Sequence, residues 1–265
     1  MYNNFNGIIM RIYRLAFLFL CVGLSLQVQA KVLKVGVSFY DPPFVILGAN
    51  NQFFGFDISL MEHVCKTMGY ECQFNPMPFN ELLDSIDSNK IDFAISSIII
   101  TPERAARFNF SAPYLVSKTR FLAVKQPEEK PFTLQSLANK KIGLADKVFA
   151  EQLKAMGLDD SQFVVFNRDD ALIQALNDGK VAVGLIDNPS AIYWQEHSSG
   201  ALEAQGKPMI YGLGLGVAVS PADQNLIPAL NMAILKYQNS DDFIDDYHKY
   251  LSHLSHAEEN NADSL

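Results

Sequence analysis

Two hydroxyls and a guanidinium lie close together near the middle of the first half of the chain. An apolar run ends in Ser96 and Ser97. Thr101 and Pro102 then predict the start of a short helix, because threonine is a good N-cap and proline fits the first helical position. Arg104 falls in the first turn, where a cation opposes the helix dipole unless an anion is also present. The pattern favours a carboxylate bound at Arg104 and, equally, an arginine that snorkels at the surface or pairs with a neighbouring or distant acid.

A single carboxylate ends another apolar run, at residues 181–187. Asp187 precedes a predicted helix that has Pro189 near its start. An aspartate in this position most often caps the helix. It can instead face a cleft and accept hydrogen bonds from an ammonium group. One carboxylate has several acceptor sites, so the two roles are compatible.

Aromatic residues and an acid follow the first predicted strand. This turn contains Ser38, Tyr40, Asp41 and Phe44, and Phe56 comes shortly before a predicted helix. Aromatic residues at strand ends usually belong to the core. A pair that flanks a cleft could instead enclose a ligand side chain, with Asp41 placed for a positive ligand end.

The elements that would position these residues alternate along the chain. Short β-rich runs, such as residues 91–96 and 214–219, alternate with helical patterns, such as residues 222–237. The alternation forms two series separated by an extended segment at 113–121. It predicts an α/β fold of parallel sheets covered on both faces, with ligands beyond the carboxyl ends of the strands. Two such units would add a cleft between them.

Composition excludes several classes of protein. The chain has 265 residues, of which 49% are hydrophobic, so a large core is expected. It has 21 basic and 29 acidic residues and no basic run, which is unlike a nucleic-acid-binding protein. We therefore expect no nucleic-acid partner. A small-molecule partner and a monomer are separate expectations that composition does not decide.

The first thirty residues have the three parts of a secretory signal peptide. Arg11 and Arg14 precede the short apolar run at 15–26, and Ala30 supplies the small residue at the end. We predict cleavage after Ala30, with an uncleaved membrane anchor as the alternative. After cleavage, no remaining run is long and apolar enough to span a bilayer, so a soluble mature protein is expected.

Two cysteines remain after the signal peptide. Cys65 and Cys72 form an even pair in an exported chain, which indicates one disulfide. No cluster of metal ligands accompanies them, and we expect neither a metal nor a cofactor.

The motifs together resemble the periplasmic polar-amino-acid-binding proteins of ATP-binding-cassette importers, family 3 of the bacterial solute-binding proteins. The resemblance runs in order from about residue 31 to residue 251. The spacing of Cys65 and Cys72 matches a disulfide in the lysine/arginine/ornithine- and histidine-binding members. The other matching pieces are Pro42-Pro43-Phe44, Gly55-Phe56-Asp57, Lys90-Ile91-Asp92, Ser96-Ser97, Thr101-Pro102-Glu103-Arg104, Phe110-Ser111-Ala112-Pro113-Tyr114 and Asp187.

This resemblance implies two doubly wound α/β lobes, joined by two hinge strands, that close over one amino acid. The first lobe would comprise residues 31–117 plus 213–255, and the second residues 118–212. A loose polar tail would follow at 256–265. The resemblance also implies a periplasmic location and a membrane permease as partner.

The resemblance further implies roles for single residues. Arg104 would hold the α-carboxylate together with backbone amides, including that of Ile99, where the family usually has serine or threonine. Ser97 and Asp187 would hold the α-ammonium, helped by the carbonyl of Ser96.

The rest of the implied site encloses the ligand side chain and departs from the family pattern. Phe56 and an aromatic residue of the turn at 38–44 would enclose that side chain. The family's Gly-Thr-Thr is Lys147-Val148-Phe149 here, so hydroxyls are lost and Phe149 reshapes the pocket. Acids at Asp41 and Asp146 favour a basic ligand, arginine or lysine, ahead of glutamine or histidine.

Two other functions remain open on the sequence. A periplasmic dehydratase acting on prephenate or arogenate would need a general acid in the cleft, and Asp41 or Asp146 are the candidates. A sensory or adhesin protein would bind a ligand for a receptor. We favour the binding protein, which is not an enzyme.

Overall fold

Two five-stranded sheets organise the chain in the computed structural model, which describes residues 31–127 and 131–251. The first sheet contains β1 (Lys31–Ser38), β4 (Tyr70–Met77), β5 (Phe93–Ala94), β6 (Asn109–Phe110) and β12 (Ala218–Val219). The second contains β7 (Lys118–Val124), β8 (Ile142–Leu144), β9 (Phe163–Val165), β10 (Val183–Asp187) and β11 (Leu202–Ile210). The strand orders are β4-β1-β5-β12-β6 and β11-β7-β10-β8-β9. A hairpin of β2 (Ile46–Leu47) and β3 (Phe53–Phe54) stands apart.

Eight α-helices of the described residues pack around these sheets. They are α1 (Phe56–Met68), α2 (Phe79–Asp87), α3 (Pro102–Ala105), α4 (Phe149–Ala155), α5 (Asp169–Asn177), α6 (Asn188–His197), α7 (Ile227–Gln238) and α8 (Asp241–Leu251). We call the elements within 31–110 and 218–251 the first lobe, and those within 118–210 the second lobe. The α/β fold class is as predicted. The predicted signal peptide and polar tail lie outside the described residues.

The sheets are mixed, whereas the alternating pattern predicted parallel ones. In the first lobe, β5 is parallel to β1, and β12 is antiparallel to β5. In the second, β8 is parallel to β10, and β7 is antiparallel to both β10 and β11. The antiparallel strands are those that enter or leave a lobe, so their direction follows from the path of the chain between lobes.

Several element boundaries also differ from those predicted. Strand β11 is an edge strand whose side chains after the buried Leu202 are half-buried or exposed, and no apolar run predicts it. The runs at 91–96 and 214–219 form strands of only two residues each, β5 and β12. The predicted helix at 222–237 begins as the 3-10 turn Pro221–Leu226 and continues as α7.

The chain crosses between the lobes twice, and the two crossing segments run beside each other. Leu115 bridges Leu215 in antiparallel fashion, and the amide of Tyr211 donates to the carbonyl of Ser117. Paired crossing segments restrain sliding and twisting of the lobes more than bending. Bending is the motion that opens and closes a cleft.

A disulfide fixes one side of the first lobe. Cys65 on α1 and Cys72 on β4 are joined, with 5.8 Å between their Cα atoms, so the predicted bridge is confirmed. Within the described ranges, no group of side chains could hold a metal ion, and no helix has the length and apolar character to cross a membrane.

Replacing Gly55 by alanine should destabilise the first lobe strongly. Gly55 has φ 123° and ψ 169°, a region reserved for glycine, and an added Cβ would clash with the carbonyl oxygen of Phe44. We expect a loss of about 3 kcal/mol or more, which lowers the melting temperature by at least about 6 °C. Gly69→Ala is the control, because Gly69 has φ 78° but nothing within 4 Å of an added Cβ. Equal losses in the two variants would contradict the steric argument.

Candidate functional site

Asp41 is held at the carboxyl end of the first sheet by hydroxyl donors. Ser96 Oγ and Ser97 Oγ each donate to Asp41 Oδ2 at 2.9 Å. The hydroxyl of Ser38 lies 2.5 Å from that of Ser96 and extends the network. All four side chains are buried. Residues from two different strand ends therefore meet at one carboxylate, as expected for a parallel pair such as β1 and β5.

Asp57 fixes the backbone of Ser97 through a hydrogen bond. The amide of Ser97 donates to Asp57 Oδ2 at 2.8 Å, and Ser97 has φ 46°, in the left-handed region. Asp57 is fully buried at the start of α1. The hydrogen bond thus stabilises a backbone conformation that aims the hydroxyl of Ser97 at Asp41.

Arg104 reaches across to the second lobe. Its Nη2 donates to both carboxylate oxygens of Asp146, at 2.9 and 2.7 Å, and its Nη1 donates to the carbonyl of Ile99 at 3.1 Å. The side chains of Arg104 and Asp146 are each 8% exposed. Thr101 caps α3 as predicted, accepting a hydrogen bond from the amide of Arg104 at 3.2 Å. Of the interpretations that the sequence left open for Arg104, the structure shows the pairing with a distant acid.

Asp187 ends β10 and faces the cleft. It occupies the N-cap position of α6, yet its side chain makes no capping hydrogen bond. The residue is buried, and its Oδ1 accepts no hydrogen bond from the described residues. The carboxylate is therefore available to a donor that arrives in the cleft.

Tyr40 forms a second bridge between the lobes. Its hydroxyl lies 3.3 Å from that of Tyr193 on α6, and its ring meets Trp194 edge to face with 6.1 Å between centroids. The cavity enclosed beside these bridges measures about 20 Å³, enough for roughly one water molecule. An amino acid is far larger than this cavity, so a ligand that occupies it requires the walls of the cavity to move apart.

This cavity brings together half of the predicted site residues and adds others. The predicted residues that line it are Ser38, Tyr40, Asp41, Ser97, Asp146 and Asp187. The residues that the sequence reasoning missed are Phe39, Phe79, Ala145, Asn167, Arg168 and Asp169. Phe79 starts α2 directly after Pro78, and Asp169 is the first residue of α5. An aromatic or acidic residue at a helix start near a strand end was the signal available for both.

Three aromatic residues predicted for the site lie in the core instead. Phe56 is fully buried and packs against Tyr114, Tyr237 and Phe243, which corrects the expectation that its ring encloses a ligand side chain. Phe79, which is half-buried, lies in the cavity wall. Phe44 and Phe149 are also fully buried in the hydrophobic core, and neither lines this cavity. Their rings match the apolar interior better than a cleft that contains several carboxylates.

Burial perturbs the carboxylates of the cleft. It raises the pKa of Asp41 to about 7, against the lowering effect of the two serine donors, and the nearby charge of Asp146 adds to the rise. Burial also raises the pKa of Asp187 well above its usual range, with further contributions from Asp41 and Asp146. The pKa of Asp169 is raised in the same way, by burial and then by Asp41 and Asp187. Burial and mutual repulsion thus favour the protonated forms of these acids over the ionised forms.

The sequence matches a known family over most of its length. A family model described as "Bacterial extracellular solute-binding proteins, family 3" matches residues 33–253. The chain is 30% identical over 208 residues to the ABC transporter arginine-binding protein 1 of Escherichia coli K12, covering 77% of this chain and 84% of that protein. It is 27% identical over 206 residues to the L-cystine-binding protein TcyJ of the same organism, covering 78% and 77%.

A solved structure shows the same architecture. It is an arginine third transport system periplasmic binding protein from Legionella pneumophila, with a TM-score of 0.77 and 27% identity. The similarity covers 84% of this chain and 100% of that one. The family model spans most of the chain and the architecture agrees with it, so the chain belongs to the bacterial extracellular solute-binding proteins of family 3.

Proposed function

We propose that this protein binds a basic L-amino acid, arginine or lysine, in the cleft and delivers it to the membrane permease of an ATP-binding-cassette importer in the periplasm. The observation that carries the proposal is the excess of buried acid. Asp41, Asp169 and Asp187 line the cavity, while Arg104 is the one buried cationic side chain in the described part of the chain. A cationic ligand would supply the charge that this group of acids needs.

Binding and closure would be coupled through both lobes. Asp41 belongs to the first lobe, and Asp169 and Asp187 to the second, so a ligand between them contacts both. A ligand favours the closed form by as much as its affinity for the two forms differs. We propose that residues 31–117 plus 213–255 move against 118–212. The assignment is supported by one relative named as an arginine-binding protein and by one solved structure of an arginine periplasmic binding protein.

A thermal-shift screen of the twenty amino acids at pH 8 tests the ligand class. A ligand at 100 times its Kd stabilises the fold by about 2.7 kcal/mol, which corresponds to about 5–10 °C here. We expect the largest shifts with arginine and lysine, and smaller ones with glutamine or histidine. Stabilisation by acidic or aliphatic amino acids alone would refute the basic assignment.

A dehydratase is the second candidate, because an acid with a raised pKa is what a general acid in the cleft needs, and Asp41 has one. The negative charge of the substrate argues against a dehydratase. Prephenate has two carboxylates, whereas the one buried cation in the described residues is already paired with Asp146. We expect no phenylpyruvate when the purified protein is incubated with prephenate, and its appearance would favour the enzyme.

A further inference from the structure

The guanidinium of Arg104 already holds a carboxylate supplied by the protein. Asp146 accepts two hydrogen bonds from Arg104 Nη2 and a third from the amide of Val148, at 3.2 Å to Oδ1. These are the partners, a guanidinium and a backbone N–H, that suit a ligand α-carboxylate. Asp146 therefore makes the hydrogen bonds that a ligand α-carboxylate would make with Arg104 and a backbone N–H.

A ligand carboxylate at Arg104 would have to share or displace this partner. Two carboxylates around one buried guanidinium repel each other, and separating a buried ion pair leaves one charge uncompensated. Three of the five N–H donors of Arg104 are used by Asp146 and Ile99, and Nε is buried with no partner among the described residues, so two donors on different nitrogens remain. Because the two carboxylates repel each other, the gain from adding an α-carboxylate is small.

The small cavity itself presents acceptors for cations. Arg104 does not line it, whereas Asp41, Asp146, Asp169 and Asp187 do, and the cation in its wall, Arg168, is paired with Asp170. Asp169 and Asp187 are each 8% exposed. The side chain of Trp194 is a hydrogen-bonding neighbour of Asp169, whereas Oδ1 of Asp187 accepts no hydrogen bond from the described residues. This buried oxygen points to a ligand with N–H donors rather than to a solvated acidic patch.

The remaining walls suit a flexible carbon chain. The aromatic residues Phe39, Tyr40 and Phe79 line the same cavity. Their rings can pack against methylene groups and, where a ligand cation lies over a ring face, add cation–π attraction. Acids on both lobes, with aromatic surfaces between them, match a ligand whose carbon chain has a cation at each end.

We propose that the cleft also accepts basic amines that have no carboxylate, namely terminal diamines and guanidinoalkylamines, with Asp146 standing in for the missing α-carboxylate at Arg104. This inference rests on the proposed function, because it concerns the same cleft and the same cationic ligand end. Asp146 then sets the specificity of the site by making it nearly indifferent to the α-carboxylate.

Calorimetric titration with matched pairs of ligands tests the inference. The pairs are L-arginine with agmatine, and L-lysine with cadaverine, each differing only by the carboxylate. We expect the two Kd values within a pair to agree within about 10-fold in the wild-type protein. Asp146→Asn frees Arg104, so arginine should bind at least about 10-fold more tightly while agmatine does not gain. Asp160→Asn is the matched control, because Asp160 is exposed in a 3-10 turn of the same lobe, and its ratio should equal that of the wild type.

The outcomes separate this inference from the proposed function. Agmatine bound more than about 10-fold more weakly than arginine by the wild type would overturn the inference and leave the proposed function standing. Agmatine bound with no detectable binding of arginine would overturn the amino-acid assignment and the expected agreement within the pair. Binding of glutamine with no binding of any of the four basic ligands would overturn both. The wild-type comparison decides the matter even if Asp146→Asn fails to fold.

Discussion

Asp187→Asn should weaken the binding of arginine at least about 30-fold. The side chain is buried in the cleft, and its Oδ1 has no partner among the residues that the structure describes. Losing one partner of a desolvated charge pair costs about 2–5 kcal/mol. Asparagine keeps the size and one acceptor but loses the charge. Calorimetric titration at pH 8 measures the change.

Stability distinguishes a lost contact from a damaged fold. Because burial raises the pKa of Asp187 well above its usual range, its ionised form opposes folding. The unliganded variant should therefore melt at the same temperature as the wild type or higher. Asp160→Asn removes an exposed acid of the second lobe and should leave affinity unchanged. An affinity of Asp187→Asn within 3-fold of the wild type would remove Asp187 from the site.

Asp41→Asn should lower the selectivity for arginine over glutamine and raise the stability of the unliganded protein. Asp41 is the first-lobe acid of the cavity, so its loss should weaken arginine at least about 30-fold and glutamine less than about 3-fold. The asparagine oxygen can still accept from Ser96 and Ser97, which keeps the hydroxyl network. Competition between the two amino acids in one titration measures the selectivity directly. Equal losses for both would show that Asp41 does not read the ligand charge.

The pH dependence of stability follows from the same residue. Burial raises the pKa of Asp41 from 3.8 to about 7 in the folded state. Between pH 4 and 7 the native state then holds more protons than the unfolded state, so the free energy of unfolding falls as pH rises through this window. Asp41→Asn removes that contribution and should raise the melting temperature at pH 8 by at least about 3 °C, with little change at pH 4.

The control for this pH effect is an exposed acid of the same lobe. Asp245 on α8 is exposed, and Asp245→Asn should reproduce the melting curve of the wild type at both pH values. An Asp41→Asn protein that gains as much at pH 4 as at pH 8 would contradict the titration argument and indicate a packing effect instead.

Local sequence determined the elements and the class of chemistry. The cap formed by Thr101 and Pro102 predicted where α3 starts, and the cysteine pair predicted the bridge between α1 and β4, since both depend on residues close together in the chain. The acids at 41, 146 and 187 could be identified because each stands beside an apolar run whose end is visible in the sequence.

Tertiary structure decided which of these groups meet, because contacts between distant segments depend on how two lobes pack rather than on any local pattern. The sequence does not distinguish Phe56 from Phe79 as a residue of the cleft. Packing places Phe56 against Tyr114 in the core and Phe79 in the cavity wall. The pairing of Arg104 with Asp146 joins residues 42 positions apart on different lobes, and it turns an expected carboxylate-binding arginine into one that the protein itself neutralises.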